Sequence, residues 1–441
     1  MRFLVTLFAL LLVLPGCDLT RAVVQEVITT IEDGATTPVP AEMTAQPYDC
    51  TDGRASAFDC GNVDMVSRVA VEVFPGSSRG NDIWGWTDAQ TGIEYALVGL
   101  DDGTGFVRLA DPENPEVLGK LPTTTVATTW RDIKTYRDHA YIGSEATDHG
   151  VQVFDLTRLR TLDADPTRVI EYDALYEGVG SSHNVVIDEE SGFLYAVGAV
   201  SVGASLPAAC DAKGFHAIDI RQPKNPTFAG CFSDVAIETG PRTPGYTHDA
   251  QCLVYAGPDA DYRGQQVCLA ANEDVLTIFD VEDKMNAEIV SVAEYPGDAY
   301  SHQVWLSDDQ RWAFLNDELD EMNGNVATQR TLVFDLEDLD NPEFAFAWDS
   351  GLPVIDHNLY IKDGYMYQSN YMSGLRIIDI RDVANGELSE VAYFDTFPQG
   401  QKVGFGGQWS NFPYFESGLV IANDSKNGLF VLRPNLTRLG S

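Results

Sequence analysis

The sequence predicts an all-β protein, a seven-bladed β-propeller, and three observations lead to that prediction. One phrase, an apolar strand that ends on an acidic residue before a turn with proline or asparagine, recurs about every 45 to 65 residues. β-Branched and aromatic residues fill the segments between Gly, Pro, Asn and Asp turns. One further strand near the N-terminus has no repeat of its own. A period of this size in a β-rich chain is typical of propellers and solenoids.

Seven copies of the phrase can be counted, and the last is truncated. They are GFVRLADPENP (Gly105–Pro115), GVQVFDL (Gly150–Leu156), GFHAIDIRQPKNP (Gly214–Pro226), VLTIFDV (Val275–Val281), TLVFDLEDLDNP (Thr331–Pro342), GLRIIDI (Gly374–Ile380) and GLFVLRP (Gly428–Pro434). Each copy predicts strand C, the third of four strands in one blade. The number of copies therefore gives the number of blades.

The third repeat illustrates the plan of a blade. Strands A and B are predicted at His183–Ile187 and Phe193–Gly198, and strands C and D at Gly214–Ile220 and Thr227–Phe232. The fifth and sixth repeats have the same order of strands and turns. Four antiparallel strands joined by tight turns are the unit from which propellers are built.

The two ends of the chain predict how the ring closes. After strand C of the last repeat only Asn435–Ser441 remain, so that blade lacks its own strand D. The orphan strand Met65–Val73 precedes the first full repeat and has the character of a strand D. We expect it to pair with Gly428–Leu432, which would leave no open sheet edge at the seam.

The first 16 residues resemble a lipoprotein signal peptide. Arg2 precedes the apolar run Phe3–Val13, which is too short to span a bilayer, and Leu14–Cys17 resembles a bacterial lipobox. An ordinary secretion signal with a chance cysteine is the alternative. Residues 17–47 would be a flexible tether that begins at the lipidated Cys17, and residues 48–441 the propeller. We expect an exported protein, anchored by lipid to a bacterial membrane on its periplasmic or surface face.

The cysteine count agrees with export. Seven cysteines less Cys17 leave an even number, which suggests disulfides outside the cytoplasm. Short separations favour the pairs Cys50–Cys60, Cys210–Cys231 and Cys252–Cys268. The spacings do not match a structural zinc site.

The chain is strongly acidic, with 67 Asp and Glu against 28 Lys and Arg and a formal charge of −39. Such a surface repels nucleic acid and anionic lipid, so we expect neither as a partner. Solubility in salty surroundings and cation binding both explain the excess of acid, and the sequence leaves both open. We expect a monomer.

Several phrases resemble one bacterial family. They are YDCTDGRASAFDCGNVDMVS at Tyr48–Ser67, YTHDAQCLVY, YSHQVWLSDD and DHNLYIKDGYMYQSNYMSGLRIIDI, whose last strand is LVIVD-like. The chain from Cys50 to Leu432 is thereby similar to the choice-of-anchor B family of surface proteins. The resemblance implies a repeat-built, propeller-like domain on a varying membrane anchor. It implies no established activity, so the function depends on the residues themselves.

One column of the aligned repeats contains the candidate site. The residues predicted to open strand A are Ile83, Arg131, His183, His248, His302, His357 and Trp409. Four of the seven histidines of the chain stand in this column, and Asp132 follows Arg131. Because strand A is the innermost strand, we expect these side chains at the mouth of the axial channel, inside a rim of acids and amides from the B–C loops.

Four roles fit the histidine column. Neutral imidazoles that converge on the axis would bind a transition metal. A histidine beside an acid would act as a general base. The acidic rim would coordinate Ca²⁺. Alternatively, each histidine ties a strand corner to the neighbouring blade, which is the structural role that repetition favours.

Two functions follow from these alternatives. The first is a binding or scaffolding module for a protein, a glycan or a small ligand, with or without a divalent cation. The second is a metal-dependent enzyme, an oxidase, oxygenase or hydrolase, built on the four histidines. Trp84, Trp86 and Trp409 are expected near the mouth, where they would stack on a sugar or peptide, and the acidic segment Asn316–Asn325 is expected to be a solvated loop.

Overall fold

The computed structural model describes residues 46–203, 206–233 and 244–436. The predicted signal peptide, Cys17 and nearly all of the predicted tether lie outside these residues. Within them the chain forms seven sheets of at least four strands each, and the strands of each blade pair in sequence order from A to D. The predicted seven-bladed propeller is confirmed.

The strands follow the order A, B, C, D in every blade. Blade 1 comprises Gly80–Thr87, Glu94–Leu100, Gly103–Arg108 and Glu116–Pro122. Blade 2 comprises Arg131–Tyr136, His139–Ser144, Val151–Asp155 and Ala174–Tyr176. Blade 3 comprises Asn184–Asp188, Phe193–Val197, Phe215–Asp219 and Thr227–Phe232. Blades 4 and 5 comprise Asp249–Val254, Gln266–Ala271, Leu276–Asp280 and Glu288–Ala293; and Ser301–Leu306, Trp312–Asp317, Arg330–Asp335 and Glu343–Asp349. Blade 6 comprises Leu359–Lys362, Tyr365–Ser369, Leu375–Asp379 and Ser389–Phe394; blade 7 comprises Gln408–Phe412, Val420–Asp424, Gly428–Pro434 and, as strand D, Val63–Val69.

The N-terminal strand closes the ring as predicted. Val63–Val69 pairs antiparallel with Gly428–Pro434, and Met65 stands opposite Leu432. The predicted bounds were wrong at both ends, since the strand begins two residues earlier and stops at Val69. Val71–Val73 form a 3-10 turn instead, because the chain leaves the sheet there to cross to blade 1.

A hairpin before the closing strand widens blade 6, a feature that the repeat pattern did not predict. Arg54–Ala55 pairs with Phe58–Gly61, which pairs in turn with strand D of that blade, where Cys60 lies opposite Phe394. The sheet of blade 6 therefore has six strands. The hairpin covers an edge that would otherwise stay exposed.

The remaining elements are short. They are a two-stranded ladder of Val179–Ser181 with Val200–Ser201, the α-helix Asp320–Asn323, and the 3-10 helices Leu156–Thr161, Ala208–Ala212 and Val383–Asn385. Among the residues that the structure describes, no helix has the length and apolar character required to cross a membrane.

The hydrophobic core lies between neighbouring blades, where aromatic side chains interlock. The rings of Phe106 and Phe154, from blades 1 and 2, lie 4.7 Å apart. Between blades 6 and 7, Phe58 meets Phe430 edge to face with ring centroids 5.1 Å apart. Such contacts hold neighbouring sheets together face to face.

All three predicted disulfides are present: Cys50–Cys60, Cys210–Cys231 and Cys252–Cys268. The last joins directly opposite residues of strands A and B in blade 4. Disulfides form and persist in oxidising compartments, which indicates an exported protein.

Candidate functional site

The A strands line an axial channel whose two ends differ. One end is a small cavity, which we call the mouth, and its walls include Arg131, Asp132, His183, His248, His302, His357 and Trp409. The other end is a wide pocket, which we call the funnel, and its walls include Trp84, Trp86, Trp305, Phe412 and Tyr414. Each A strand runs from the mouth to the funnel.

The structure brings the four histidines of the column together. The ring centroids of His183 and His248 lie 4.1 Å apart, those of His248 and His302 4.3 Å, and those of His302 and His357 4.4 Å. The rings thus form an arc across four consecutive blades at one end of the channel.

The Nδ1 atoms of three of the four histidines face acceptors in the wall, and that of His302 has no hydrogen-bond partner among the described residues. His248 Nδ1 donates to the carbonyl of His302 at 2.8 Å, and His357 Nδ1 donates to the carbonyl of Trp409 at 2.5 Å. His183 Nδ1 lies 2.7 Å from Glu145 Oε1. Because a carbonyl only accepts, Nδ1 of His248 and of His357 carries the proton. In the neutral ring Nε2 then keeps its lone pair, as a metal ligand or an acceptor requires.

Glu318 joins two of the histidines. His302 Nε2 lies 3.8 Å from Glu318 Oε2, and His357 Nε2 lies 3.9 Å from Glu318 Oε1. Burial and the neighbouring histidine rings hold the pKa of His302 well below its ordinary value. Burial also lowers the pKa of His357 to about 3. Both rings are therefore neutral at physiological pH.

A β-bulge places residues of the column in the channel. In blade 5, Ser301 and Gln303 face consecutive residues of strand B, so His302 is the extra residue. Trp409 occupies the same position in blade 7. Bulges of this kind redirect side chains and are frequent next to functional sites.

One member of the predicted column was wrong. Asp82 Oδ2 accepts from the amide of Ile133, just as Asp132 Oδ2 accepts from the amide of Val185. Asp82 is therefore the counterpart of Asp132, and the residue before it, Asn81, takes the place predicted for Ile83. A bulge between Gly80 and Ile83 shifts the register of blade 1, and the Ile83 side chain lies in the core.

Arg131 is bound to the wall of the mouth. Its Nε donates to the carbonyl of Leu100 at 3.1 Å, and its Nη1 lies 3.1 Å from His149 Nε2. Burial, followed by the charge of Arg131, lowers the pKa of His149 to about 4. His149 is thus a neutral acceptor for Arg131, and these contacts indicate a structural role for the arginine.

A buried charged cluster lies in the channel below the mouth. Lys134 Nζ lies 2.6 Å from Asp132 Oδ1 and 3.8 Å from Asp82 Oδ2. Burial raises the pKa of Asp82 well above its ordinary value. Burial acts on Asp132 in the same direction, but Lys134 and the hydrogen bonds that Asp132 accepts outweigh it and lower its pKa. The opposite shifts favour a protonated Asp82 beside an ionised Asp132, whose charge Lys134 balances.

The funnel has a volume of about 530 Å³. Besides its aromatic walls it presents the polar side chains of Lys134, Glu189, Asp249, Gln251, Gln303 and Asp308. Burial raises the pKa of Asp249 to about 6. The placement of Trp84 and Trp86 at the mouth was wrong, since both line the funnel, whereas Trp409 does line the mouth.

The prediction of a solvated loop at Asn316–Asn325 was also wrong for its first half. Asp317, Asp320 and Glu321 are buried. Asp317 accepts hydrogen bonds from the amides of Ala299 and Tyr300, and Asp320 accepts one from Arg330 Nε. The acids face inward because they satisfy backbone and arginine donors of neighbouring loops.

Other acids of the predicted rim serve turns. Asp424 accepts from the hydroxyl of Thr396 and from the amides of Lys426 and Asn427. Glu273 accepts from the hydroxyl of Tyr300 at 2.7 Å. These hydrogen bonds account for part of the acidic rim without a bound cation.

Comparison with known proteins returns structural likenesses alone. No protein-family model matches the chain, and no curated protein does. Similar solved structures include a Lactobacillus plantarum protein and the Pseudomonas aeruginosa periplasmic gluconolactonase PpgL, each with 14% identity, a TM-score of 0.49 and coverage of 79% of this chain and 89% of that one. The β-propeller domain of Myceliophteria thermophila Cps50 (Swd1) has 12% identity, a TM-score of 0.47 and coverage of 77% and 93%. The assignment of the propeller fold therefore depends on the strand pairing within this chain.

Proposed function

We propose that this protein is an exported binding module whose funnel receives one small polar ligand. A single observation carries the proposal: a pocket of about 530 Å³ in which aromatic walls and convergent polar groups meet. Pockets of a few hundred Å³ with a mostly apolar lining and a few polar groups are the usual form of a small-ligand site.

The aromatic walls are rigid, which favours a ligand with a flat face. Trp84 packs edge to face on Phe412 at 5.0 Å and on Tyr360 at 5.6 Å. Trp305 packs on the same tyrosine at 4.9 Å. Because these rings already have little freedom, ordering them on binding costs little free energy.

The polar groups favour a ligand that carries hydroxyl groups. Gln303 Nε2 donates to Asp249 Oδ2 at 2.8 Å, and Gln251 Oε1 accepts from the amide of Leu306 at 2.8 Å. Gln303 Oε1 also accepts from the amide of Leu359, so both polar ends of Gln303 are occupied, whereas Nε2 of Gln251 is left to face a ligand. A sugar unit, with hydroxyls at its edge and C–H groups on its face, fits such a lining better than a folded protein does.

The rival function, a metal-dependent enzyme on the four histidines, has less support. The mouth has a volume of about 10 Å³, which is the room that one water molecule requires. A substrate would not reach the imidazoles without rearrangement of the mouth, and the funnel lies at the other end of the channel.

We also propose that Cys17 is lipidated and that residues 17–47 tether the propeller to a bacterial membrane. The lipobox-like sequence supports this, and the three disulfides support export. Membership of the choice-of-anchor B family stays a prediction. Substitution Cys17→Ser should release the protein from the membrane fraction, and continued labelling of the variant by fatty acid would contradict the anchor.

Binding to the funnel can be tested by tryptophan fluorescence. A panel of glucose, galactose, N-acetylglucosamine and their short oligomers is titrated into the full-length protein. We expect saturable quenching with at least one sugar and a loss of affinity of at least tenfold for Trp305→Ala. Trp130→Phe, at the mouth, is the matched control and should bind as the wild type does. Absence of binding across the panel, or equal binding by the Trp305 variant, would overturn the proposal.

A further inference from the structure

We propose that His302, His357 and Glu318 hold one divalent transition-metal ion at the mouth, between blades 5 and 6. The inference goes beyond the proposed function, because it concerns a different site at the other end of the channel. Each residue offers one ligand atom, and the three atoms lie within 4.8 Å of one another.

The distances suit a metal after a small contraction. The two histidine nitrogens lie 3.8 and 3.9 Å from the two different oxygens of Glu318. Zinc bonds to nitrogen and carboxylate oxygen are about 2.0 to 2.2 Å long, so two ligands of one tetrahedral ion stand about 3.3 to 3.5 Å apart. A shift of a few tenths of an ångström in each side chain would close these two separations, and the two histidine nitrogens lie within 4.8 Å of each other.

The hydrogen bonds of one imidazole present the correct nitrogen. Nδ1 of His357 donates to the carbonyl of Trp409, whereas Nδ1 of His302 is buried without a hydrogen-bond partner among the described residues. Metal-bound histidines typically donate their other nitrogen to a carbonyl or carboxylate, which fixes the ring and its tautomer. For His357 the backbone of the next blade provides that acceptor, and for His302 it is Nε2 that faces Glu318.

Glu318 is also positioned from outside the triad. The hydroxyl of Tyr371 donates to Glu318 Oε1 at 2.6 Å. Tyr371 has a φ of +41°, in the left-handed region that favours glycine, and its ring lies 4.7 Å from that of His357. A bulky aromatic residue rarely adopts this conformation, so the contacts around Tyr371 must hold it there.

The ligand set selects the class of ion. Two imidazoles and one carboxylate are the protein ligands of many zinc sites and of iron(II) sites with open positions. Calcium and magnesium prefer oxygen ligands throughout. Zn²⁺ is therefore the ion to test first.

Of the four histidines that the sequence predicts as metal ligands, the proposal keeps His302 and His357. His183 is engaged with Glu145 at 2.7 Å, and His248 stands between His183 and His302 in the arc. Neither belongs to the group of mutually close ligand atoms. We therefore expect them to line the metal site without binding the ion.

The experiment uses the full-length protein after treatment with a chelator. Zn²⁺ is titrated by calorimetry, and Co²⁺ serves as a spectroscopic probe because its visible absorption reports coordination number. We expect one ion per chain, a higher melting temperature with metal, and the visible absorption of Co²⁺ in a four- or five-coordinate site. Substituting a residue that only hydrogen-bonds to a metal ligand lowers metal affinity about 10- to 100-fold. Because Glu318 is itself a ligand in this proposal, Glu318→Gln should lower the affinity for Zn²⁺ at least as much.

The controls separate this site from its alternatives. Glu318→Gln retains an acceptor for Tyr371, so the metal-free melting temperature of the variant should match that of the wild type. His183→Gln should bind Zn²⁺ as the wild type does. A protein that binds neither ion, or a His183→Gln variant weakened as much as Glu318→Gln, would overturn the triad. Sugar binding by Glu318→Gln, measured in parallel, should be unchanged, so the metal site and the funnel can fail independently.

Discussion

Lys134 directs its ammonium nitrogen at Asp132 Oδ1, 2.6 Å away, inside the wall of the channel. The same nitrogen lies 4.5 Å from the centre of the Trp84 ring, which forms part of the funnel. One cation thus neutralises the buried carboxylate below the mouth and supports an aromatic wall at the other end. The polar interior and the binding pocket therefore depend on the same side chain.

We expect Lys134→Met to destabilise the protein by about 3 to 5 kcal/mol, because it leaves a buried carboxylate without its partner. The triple variant Lys134→Met, Asp82→Asn, Asp132→Asn should regain most of that loss. Lys224→Met, which breaks an ion pair with Asp155 at a lysine side chain that is 49% exposed, is the control and should cost less than about 1 kcal/mol. Chemical denaturation measures all three. Equal costs for the two lysine variants would contradict a buried pair.

The closing strand makes a second prediction. Met65 is fully buried opposite Leu432, whereas Val73, just beyond the same strand, is 37% exposed. Met65→Asp should cost about 3 kcal/mol or more, since it buries an unpaired charge at the seam, and should expose sheet edges that aggregate. Val73→Asp should melt nearly as the wild type does. Size-exclusion chromatography and thermal unfolding check both variants, and a monomeric Met65→Asp with an unchanged melt would contradict the role of the strand.

The blade count, the seam and the disulfides could be predicted because their signals are local. Each copy such as Gly374–Ile380 carries its own strand and turn, and counting copies needs no knowledge of contacts. The pair Cys252–Cys268 spans a single hairpin, so its partners were close in sequence. The orphan strand was visible because the last repeat ended without a strand D.

The register of blade 1 could not be predicted in this way. A bulge inserts one residue between Gly80 and Ile83, and the repeat pattern has no residue type that marks it. The alignment therefore placed Ile83 in the column and moved Trp84 and Trp86 to the wrong end of the channel. The funnel, which these two tryptophans help to form, was missed for the same reason.

The position of Glu318 depended on contacts that are distant in sequence. Its segment is acidic and contains glycine, which is typical of a solvated loop. The partners that bury the segment, the amides of Ala299 and Tyr300 and the side chain of Tyr371, come from other loops. The adjacent strand end Asn316 and the column histidines suggested a polar rim, but not that a carboxylate would stand between two imidazoles.

A third prediction concerns the disulfide of blade 4. Cys252 and Cys268 are buried and lie opposite each other in strands A and B. Replacing both by alanine should cost about 2 to 4 kcal/mol, because the unfolded chain loses a cross-link. Thiol labelling should detect these cysteines in the wild type only after unfolding in the presence of a reductant. Equal melting temperatures of wild type and variant, or ready labelling of the native protein, would contradict a structural bridge.

The last prediction concerns acid stability. The pKa of His149 lies at about 4 in the folded protein, because of burial and of Arg131, against an ordinary value of 6.5. Between these two values the unfolded chain binds a proton that the folded chain excludes, so stability should fall as the pH drops through this window. The slope from this residue approaches about 1.4 kcal/mol per pH unit. His149→Gln retains an acceptor for Arg131 and should remove that part of the slope. Urea denaturation at pH 4.5, 5.5 and 7.5 measures the free energy of unfolding of both proteins. The difference in that free energy between variant and wild type should shrink on acidification. A difference that is constant across the three pH values would show that His149 does not titrate with folding.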